Sequence, residues 1–596
     1  MKDNKYKWRG AALCLALSLM AASCSMGDDM ECPPDGGGTP GTGSAFIQLS
    51  FGMADAQGTR ANPDGGEDGD GLEAGQSNEN RVSTAVAFLF DANVTVNGGA
   101  STPVTPVYFP SVNPTAEGGT GIDAVYETNP VQTTVENGDY NVIVVANPGD
   151  NRWWEQAENQ TLGAVRDYKQ QKAWKEAESS DGTISYSDFL MSSADEPTEK
   201  LTINNNSESE PAKVTVNVER MAARVDYLAN NKYTCTDPMY EDATVEITGA
   251  TIVNRLTAGS YLLKRVAGDV QGTNLKYLGL ETATGENMLA KNYVLDPWTA
   301  WKTQQNLTGM HFPVDGESVA ASALYDPQTY ISKRSDNPED WAGYCKAGVD
   351  ATEDNYLRVG YALENTTGKL ETSLNYNTGI VFKAQFHPLG VEGYTDGQTF
   401  FTYNGTIYPM LTDMMGQLNN QEDFSTYTDK AINALTDWNG LKSFAASFVS
   451  DPTGYADYLT EFANEHSTDV FTANAEELTW KYYLNNELGV VEDAQNGPQI
   501  NQNGVETRAK LYASSKELLR TYYNGQCYYI WWLRHSNDGD DETNGVMEYA
   551  VVRNNIYKVS VNSIYSLGGD IPDNEQLDAM VYVNKWSMLP PEVLPM

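Results

Sequence analysis

The sequence predicts a mainly β protein with two β-sandwich domains and an α-helical insertion in the second. Three observations support this class. Short segments rich in valine, isoleucine and threonine recur along most of the chain, as antiparallel sandwiches require. Of the 596 residues, 40% are hydrophobic and 11% are aromatic, which is ample for buried cores. No repeat of fixed period is visible, so the length alone indicates about two to four domains.

The strands are predicted from apolar alternation and from their β-branched residues. The first strand, Ala45–Met53, places apolar and polar side chains on alternate positions. Later strands are predicted at residues 82–92, 105–109, 139–147, 211–229, 242–254, 356–363, 378–388, 399–409, 525–535, 545–564 and 579–589. The boundary between the two β-rich domains is expected between residues 215 and 225.

Helices are predicted in two places. Residues 410–486 show helical periodicity with Asp and Asn at the helix starts, which predicts the insertion in the second domain. A shorter helical piece is predicted at residues 152–178.

The charge balance argues against nucleic-acid binding, and the scarcity of histidine and of catalytic motifs argues against enzyme activity. The chain has 39 basic and 81 acidic residues, a net charge of −42, so it repels phosphate and is not expected to bind nucleic acid. Only four histidines are present, and there is no nucleophile-elbow, zinc-protease or phosphate-loop motif. We predict no enzyme activity, no catalytic residue and no cofactor. Paired carboxylates among the acidic residues leave a glycosidase formally open.

The N-terminus is predicted to be a targeting segment. Basic residues precede an apolar run at residues 11–22, which is too short to span a bilayer but fits a secretory signal. The run ends in small residues before Cys24, which resembles a bacterial lipobox, so we predict a signal peptide at 1–23 and a lipid on Cys24. The alternative is an ordinary signal peptide cut near Ala22. The acidic stretch after Cys24 resembles the surface-export signal of Bacteroidetes lipoproteins.

The remaining cysteines predict no metal site. Cys32, Cys235, Cys345 and Cys527 have no CxxC or CxxH spacing. Disulfides are compatible with an exported protein, but the spacing does not determine which cysteines pair. Cys527 lies in a predicted strand, where a buried thiol behaves as a small apolar residue.

A Gly- and Asp-rich segment follows the first strand. Residues 54–80 contain almost no large apolar side chain, which predicts an exposed loop. Its acidic residues fit no register of an EF-hand calcium loop. Arg60 lies in this segment, and Arg81 follows it.

The C-terminal part of the chain carries a resemblance to a known family. Its segments are Gly525–Tyr529, Trp532–His535, Gly545–Tyr549 and Val552–Val561, with weaker similarity at residues 144–148, 188–194, 219–227 and 292–298. These resemble the fimbrillin family of Bacteroidales, the type V pilins, and most of all the shaft subunit of short fimbriae. The family resemblance implies two transthyretin-like, Greek-key sandwich domains.

The resemblance also implies an activation step. Such pilins are exported as lipoproteins and cut by an Arg-specific protease in the loop after the first strand. Carried over to this chain, the cut falls between Arg60 and Ala61 and releases Ala45–Met53. Arg81 is the alternative cleavage site, and an ordinary exposed arginine is the alternative role for Arg60. The implied division is a lipidated propeptide at 24–60, an N-terminal domain at 61–221 and a C-terminal domain at 222–596.

The strand that replaces the released one is expected within Met580–Met596 of another subunit. Its predicted residues are Val581, Val583, Trp586, Met588 and Leu589. Insertion of such a donor strand satisfies the backbone groups that the cut exposes, and head-to-tail donation makes a fibre. Prolines at 590, 591 and 595 weaken the last stretch as a strand, so the part that inserts stays open.

The predicted function is therefore a structural subunit of cell-surface fimbriae, for adhesion or biofilm formation. The expected partners are other copies of the subunit, anchor and tip subunits, the Arg-specific protease and a host or bacterial surface receptor. The precursor is expected in the outer membrane through its lipid. The alternatives are a tip or accessory adhesin of the same fold, and a glycan-binding surface lipoprotein.

Overall fold

The fold is described here from a computed structural model, which confirms that the protein is mainly β. The described residues are 45–53, 72–94, 99–115, 126–170, 172–180, 184–194, 200–267, 275–277, 293–294, 338–350, 355–365, 377–501, 507, 510–511, 518–536, 548–572 and 577–587. The cleavage and lipidation positions predicted above lie outside these residues.

Thirty strands are named here in chain order, as they occur in the described part of the chain. They are β1 (Ala45–Met53), β2 (Leu72–Ala74), β3 (Ala85–Asp91), β4 (Thr105–Phe109), β5 (Val112–Pro114), β6 (Tyr126–Thr128), β7 (Val131–Thr133), β8 (Gly138–Ala146), β9 (Lys175–Glu178), β10 (Ile184–Ser187), β11 (Met191–Ser193), β12 (Lys200–Ile203), β13 (Ala212–Arg220), β14 (Ala222–Leu228), β15 (Tyr233–Thr234), β16 (Thr244–Val253), β17 (Arg265–Ala267), β18 (Leu275–Tyr277), β19 (Tyr293–Val294), β20 (Val349–Asp350), β21 (Leu357–Leu363), β22 (Gly379–His387), β23 (Phe400–Tyr403), β24 (Thr406–Tyr408), β25 (Val490–Asp493), β26 (Gly497–Ile500), β27 (Leu519–Tyr522), β28 (Gln526–Trp532), β29 (Asn555–Ser563) and β30 (Asp578–Ser587).

The helices in the same residues are mostly short. They are α1 (Ser77–Asn80), α2 (Leu162–Asp167), α3 (Pro338–Tyr344), α4 (Leu411–Leu418), α5 (Phe424–Asn433), α6 (Trp438–Ala445), α7 (Tyr455–Glu465) and α8 (Trp480–Tyr482), which continues as a π-helical turn at Tyr483–Leu488. Single 3₁₀ turns lie at Trp153–Glu155, Ala157–Asn159, Pro238–Tyr240, Glu476–Leu478 and Tyr523–Gly525.

The first part of the chain forms a ten-stranded sheet around one core. The strand order is β4-β3-β8-β11-β13-β1-β6-β5, with β12 on β8 and β7 on β1. Strand β3 and the second half of β8 are continuous apolar runs, and their side chains are buried except for Asp91 at the end of β3. The predicted helical piece at 152–178 is largely wrong, since this stretch contains two 3₁₀ turns, the six-residue α2 and strand β9.

The second part of the chain is a two-layer sandwich. One layer has the order β2-β30-β29-β14-β21-β20 and the other has β15-β16-β22-β28. Their facing side chains, including Val225, Phe382, Tyr529, Val559 and Val581, pack into one core cluster. β28 is also buried on its other face, where Tyr528, Ile530 and Trp532 belong to a separate apolar cluster.

The predicted strand at 211–229 is two strands that belong to different sheets. β13 ends at Arg220 in the first sheet, and β14 begins at Ala222 in the second. The chain therefore passes from one sheet to the other at Met221, which is fully buried.

The predicted helical insertion is confirmed. Helices α4 to α8 pack with strands β23, β24, β25 and β27 into a separate core, which includes Met414, Phe424, Leu441, Tyr455 and Trp480. Asp423 and Asp437 cap α5 and α6, each accepting a hydrogen bond from a backbone N–H three residues later. The insertion thus folds on its own apolar faces and leaves the sandwich core intact.

Candidate functional site

Strand β1 lies in the interior of the ten-stranded sheet. It runs parallel to β13, with seven paired positions from Ile47 to Met53. On its other edge it is antiparallel to β7 through Ala45–Ile47 and to β6 through Ser50 and Phe51. Ladder hydrogen bonds therefore use both edges of this nine-residue strand.

The side chains of β1 alternate as the sequence predicts. Ala45, Ile47, Leu49 and Phe51 are fully buried in the first core. Between β6 and β7 the ladder is interrupted, and side chains bridge the gap. The Leu49 N–H donates to Thr128 Oγ1 at 2.9 Å, and Gln48 Nε2 donates to the Thr128 carbonyl at 3.0 Å.

Removal of β1 would split this sheet along its length. The backbone groups of β13 on one side, and of β6 and β7 on the other, would lose their partners. An apolar trough would open where Ile47, Leu49 and Phe51 had packed. Unpaired backbone groups beside an apolar surface are the features that a second extended strand recognises.

The C-terminal strand β30 is part of the sandwich. It pairs antiparallel with β29 from Asp578 to Lys585 and parallel with β2 from Lys585 to Ser587. Val581 and Val583 point into the sandwich core, and Trp586 packs against the other core from the opposite face. These three residues of the predicted donor strand are thus buried within their own chain. Met588 and Leu589 lie outside the described residues.

Residues 72–80, named here the 72–80 segment, hold the end of β30. Strand β2 pairs with its last three residues. Glu73 contacts Lys558 of β29 at 3.0 Å and Arg224 of β14 at 2.6 Å. Helix α1 then places Glu79 in a fully buried position over β14 and β21.

Glu79 is the centre of a buried ionic cluster. Its carboxylate accepts hydrogen bonds from Arg224 at 3.1 Å and from Arg358 at 3.4 Å, and it also accepts one from the Tyr361 hydroxyl. Arg224 makes a second, two-atom contact with Asp226 at 2.8 to 3.2 Å. Burial alone would lower the pKa of Arg224, but Asp226, Glu79 and Glu73 together raise it above its usual value.

Arg220 links the 72–80 segment to the C-terminal strand. Its guanidinium donates to the Glu79 carbonyl at 3.1 Å and to the Trp586 carbonyl at 3.1 Å, and it also bonds the Asn80 side chain. It lies 4.5 Å from the centre of the Trp586 ring, which stacks on Tyr361 at 5.7 Å. Burial lowers the pKa of Arg220 to about 10, so it stays charged at neutral pH.

Arg553 is another buried arginine, and it joins the two sheets. Arg553 forms a two-atom ion pair with Glu364, and it also donates to the carbonyls of Tyr261 at 2.7 Å and Leu262 at 3.0 Å. A longer contact of 3.4 Å reaches Ser192 of β11 in the first sheet. The adjacent Asn554 has a φ of 56° and accepts from Arg220. The segment that carries the family resemblance is therefore a joint between the sheets.

Sequence reasoning missed this joint because its members are far apart in the chain. Glu73, Glu79, Arg224, Arg358 and Trp586 meet only in the folded molecule. One signal was available, since Arg220, Arg224 and Asp226 interrupt an otherwise apolar strand segment. Charged side chains in such a position are buried only when they are paired.

Three of the cysteines named above lie in the described part of the chain. Cys235, Cys345 and Cys527 are buried free thiols there, and burial raises the pKa of each. Cys527 is fully buried in the sandwich core, as predicted. No cluster of metal-ligating side chains occurs among the described residues. No helix within the same ranges is long and apolar enough to cross a bilayer.

Comparison with known proteins confirms the predicted resemblance. Residues 520–589 match the family described as major fimbrial subunit protein type IV, fimbrillin, C-terminal. The match spans β27 to β30, which includes the joint around Arg553 and the C-terminal strand. The C-terminal part of this chain is thus similar to the C-terminal part of fimbrillins. No curated protein sequence matches the chain.

Several solved structures are similar to this chain over most of its length, at low sequence identity. A "putative cell adhesion protein" from Parabacteroides distasonis is 11% identical, with 91% of this chain and 100% of that chain covered and a TM-score of 0.37. A fimbrilin from Porphyromonas gingivalis is 11% identical, with 91% and 98% covered and a TM-score of 0.28. A tip fimbrial protein from Porphyromonas gingivalis is 9% identical, with 91% and 100% covered and a TM-score of 0.27.

Proposed function

We propose that this chain is a structural subunit of cell-surface fimbriae, exported as a lipoprotein through Cys24 and polymerised by strand exchange. The observation that carries the proposal is the position of β1, an interior strand at the start of the described chain that is paired on both edges. The fimbrillin match at residues 520–589 supports the family context. The uncut precursor fills its own groove and cannot accept a partner.

Activation is proposed to be a cut between Arg60 and Ala61 by an Arg-specific protease. This position favours release of β1 alone. A cut after Arg81 would also free the 72–80 segment from its covalent connection to the domain, although Glu79 is buried in a cluster with Arg224 and Arg358. The buried cluster therefore supports Arg60 over Arg81. After the cut, the new N-terminus stays attached through β2 and α1.

The exchanged segment is proposed to lie at the C-terminus of a second copy, beyond Ser587. Val581, Val583 and Trp586 fill the cores of their own chain, and extracting them would cost about 1.5–3 kcal/mol per side chain. Donation of residues 588–596, which include Met588 and Leu589, leaves these cores undisturbed. Pro590, Pro591 and Pro595 have no N–H group, so this donor makes fewer ladder hydrogen bonds than β1 does and depends more on side-chain burial in the groove. Trp586 and its neighbours then act as the base from which the donor extends.

The test is the N-terminus and intact mass of the protein sheared from its native cells, for the wild type and for Arg60→Ala. We expect wild-type chains that begin at Ala61 in fibres, and Arg60→Ala chains that keep acylated Cys24 and stay monomeric. The matched control is Arg81→Ala, which should assemble normally. Normal fibres from Arg60→Ala would refute the assigned cleavage position.

The protein sheared from native cells also distinguishes a shaft subunit from the alternative roles. Antibody against a shaft subunit labels the whole length of a fibre, whereas antibody against a tip or accessory adhesin labels its end. A wild-type chain that still begins at acylated Cys24 would contradict the proposal. It would favour an anchor or a glycan-binding surface lipoprotein.

A further inference from the structure

A cavity of about 500 Å³ lies beside the first sheet, and its lining includes no residue of β1 or β30. It is formed by the residues that follow β8, by the 3₁₀ turn at Trp153, by described residues between Tyr168 and Glu176, and by the turn before β11, together with Leu262. This volume is within the range of about 300–1,000 Å³ that is typical of small-molecule sites. Nothing in the proposed strand exchange uses this cavity.

Three aromatic rings form the apolar walls of the cavity. They belong to Trp153, Tyr168 and Trp174. Trp153 and Tyr168 stack at 3.8 Å between ring centres, which holds both rings in place. Trp174 is oriented by a hydrogen bond of 2.7 Å from its indole N–H to Glu176. Fixed aromatic walls suit a ligand that has flat apolar faces and a polar perimeter.

Gln170 supplies a polar group that the fold itself does not use. Its side chain lines the cavity and is 2% exposed. Neither the carboxamide oxygen nor the nitrogen has a hydrogen-bond partner among the described residues. The backbone of Gln170 is paired with Ser260 and Gly259, so the residue is held in position. A buried, unpartnered carboxamide is costly, and a bound polar ligand offsets that cost.

Two other polar side chains of the lining, Lys175 and Asn147, already have protein partners. Lys175 contacts Asp188 at 2.9 Å, and the Asn147 side chain donates to the Arg81 and Phe189 carbonyls. The charged lining residues are Asp150, Glu176, Asp188, Lys172 and Lys175, three acids and two bases. Because the acidic residues outnumber the basic ones, the cavity lining does not attract an anion.

We propose that this cavity binds a neutral saccharide, with Gln170 as the main hydrogen-bonding residue. A carboxamide presents one acceptor and two donor hydrogens in a plane. Adjacent sugar hydroxyls each donate and accept, so they can use both sides of that group. The C–H face of the sugar ring packs on the aromatic walls. The proposal goes beyond the strand-exchange function and does not depend on it, because the cavity is complete in a single chain.

The test uses the full-length chain in its uncut form, with methyl glycosides of glucose, galactose, mannose and N-acetylglucosamine as probes. Saturation-transfer NMR and isothermal titration measure the binding, and thermal unfolding measures the fold. We expect saturable binding of at least one glycoside. Gln170→Leu should weaken that binding at least tenfold while its melting temperature stays equal or rises, because the variant removes an unpaired buried amide. Gln417→Leu, on the exposed face of α4, is the matched control and should bind normally.

Two results would overturn the proposal. One is the absence of saturable binding for all four glycosides, or equal binding by Gln170→Leu. The other is a lowered melting temperature of Gln170→Leu without loss of binding, which would make Gln170 a structural residue. Binding of an acidic sugar or a peptide in place of the neutral glycosides would also contradict it.

Discussion

At the scale of single residues, the molecule depends on a few buried charges that connect distant parts of the chain. Glu79 joins Arg224 and Arg358, and Arg553 joins Glu364 to the first sheet. Each charge is stabilised by its partners and would be costly without them. These residues therefore determine how the 72–80 segment, the sandwich and the first sheet fit together.

Glu79→Gln is expected to destabilise the protein by about 3–5 kcal/mol, because Arg224 would lose a buried carboxylate partner. Urea unfolding of the uncut chain measures the change. The control is Glu155→Gln, whose ion pair with Arg152 is about half exposed and should contribute less than about 1 kcal/mol. Equal effects of the two variants would show that the cluster does not anchor the segment.

His535 predicts a measurable pH dependence of stability. The side chain is fully buried, with Nδ1 at 3.0 Å from the Tyr557 hydroxyl. Burial, with a smaller effect from Lys264, lowers its pKa from 6.5 to about 4. The unfolded chain binds the proton more readily, so this stability is fully present above about pH 6.5 and is lost as the pH falls toward 4.

The size of this effect can be measured by comparing variants. Between pH 7 and pH 4.5 the wild type should lose about 2–3 kcal/mol more than His535→Gln, from the linkage between pKa and stability. His466→Gln, at an exposed histidine, should behave like the wild type. The same pH slope in the wild type and in His535→Gln would contradict the buried neutral state of His535.

At the scale of elements, β1 and β30 differ in how each strand is held in its sheet. β1 is an interior strand that pairs with β13 on one edge and with β6 and β7 on the other. β30 is held by β29 along its length and by the 72–80 segment at its end. Removal of β1 opens a groove in the first sheet, whereas removal of β30 would take side chains out of both cores.

A synthetic peptide with the sequence of Ala45–Met53 should bind to a chain that begins at Ala61. We expect it to raise the melting temperature and to block polymerisation, because Ile47, Leu49 and Phe51 each contribute about 1.5–3 kcal/mol when buried. The control peptide carries Leu49→Asp and Phe51→Asp and should do neither. Stabilisation by both peptides would argue against a specific groove.

At the scale of the whole molecule, the proposed assembly needs a donor that leaves its own domain folded. The joint around Arg220, Arg553 and Trp586 connects the sheets, so the proposed groove and the proposed donating end belong to parts of the chain that are joined by buried contacts. A head-to-tail contact whose rotation does not close produces a fibre, as the proposal expects.

Two truncations locate the donor. A chain that ends at Ser587 should fold and reach the surface but should not polymerise. A chain that ends at Leu577 lacks β30 and should be destabilised by more than about 5 kcal/mol, since Val581, Val583 and Trp586 leave both cores. Surface delivery, melting temperature and fibre length measure the outcomes. Long fibres from the chain ending at Ser587 would refute the proposed donor.

The sequence by itself determined the longer strands, the helical insertion and the family resemblance of the C-terminal part, because local periodicity and turn residues act over short distances. Ala45–Met53 and the Asp-capped helices were predictable for this reason. Short strands such as β9, in the stretch predicted to be helical, were missed. Only the tertiary structure decided that residues 211–229 divide between two sheets, that β30 belongs to its own sandwich, and that Glu79 meets Arg224. Glu79 and Arg224 are 145 residues apart, and no local pattern encodes which charged or apolar partner a side chain finds.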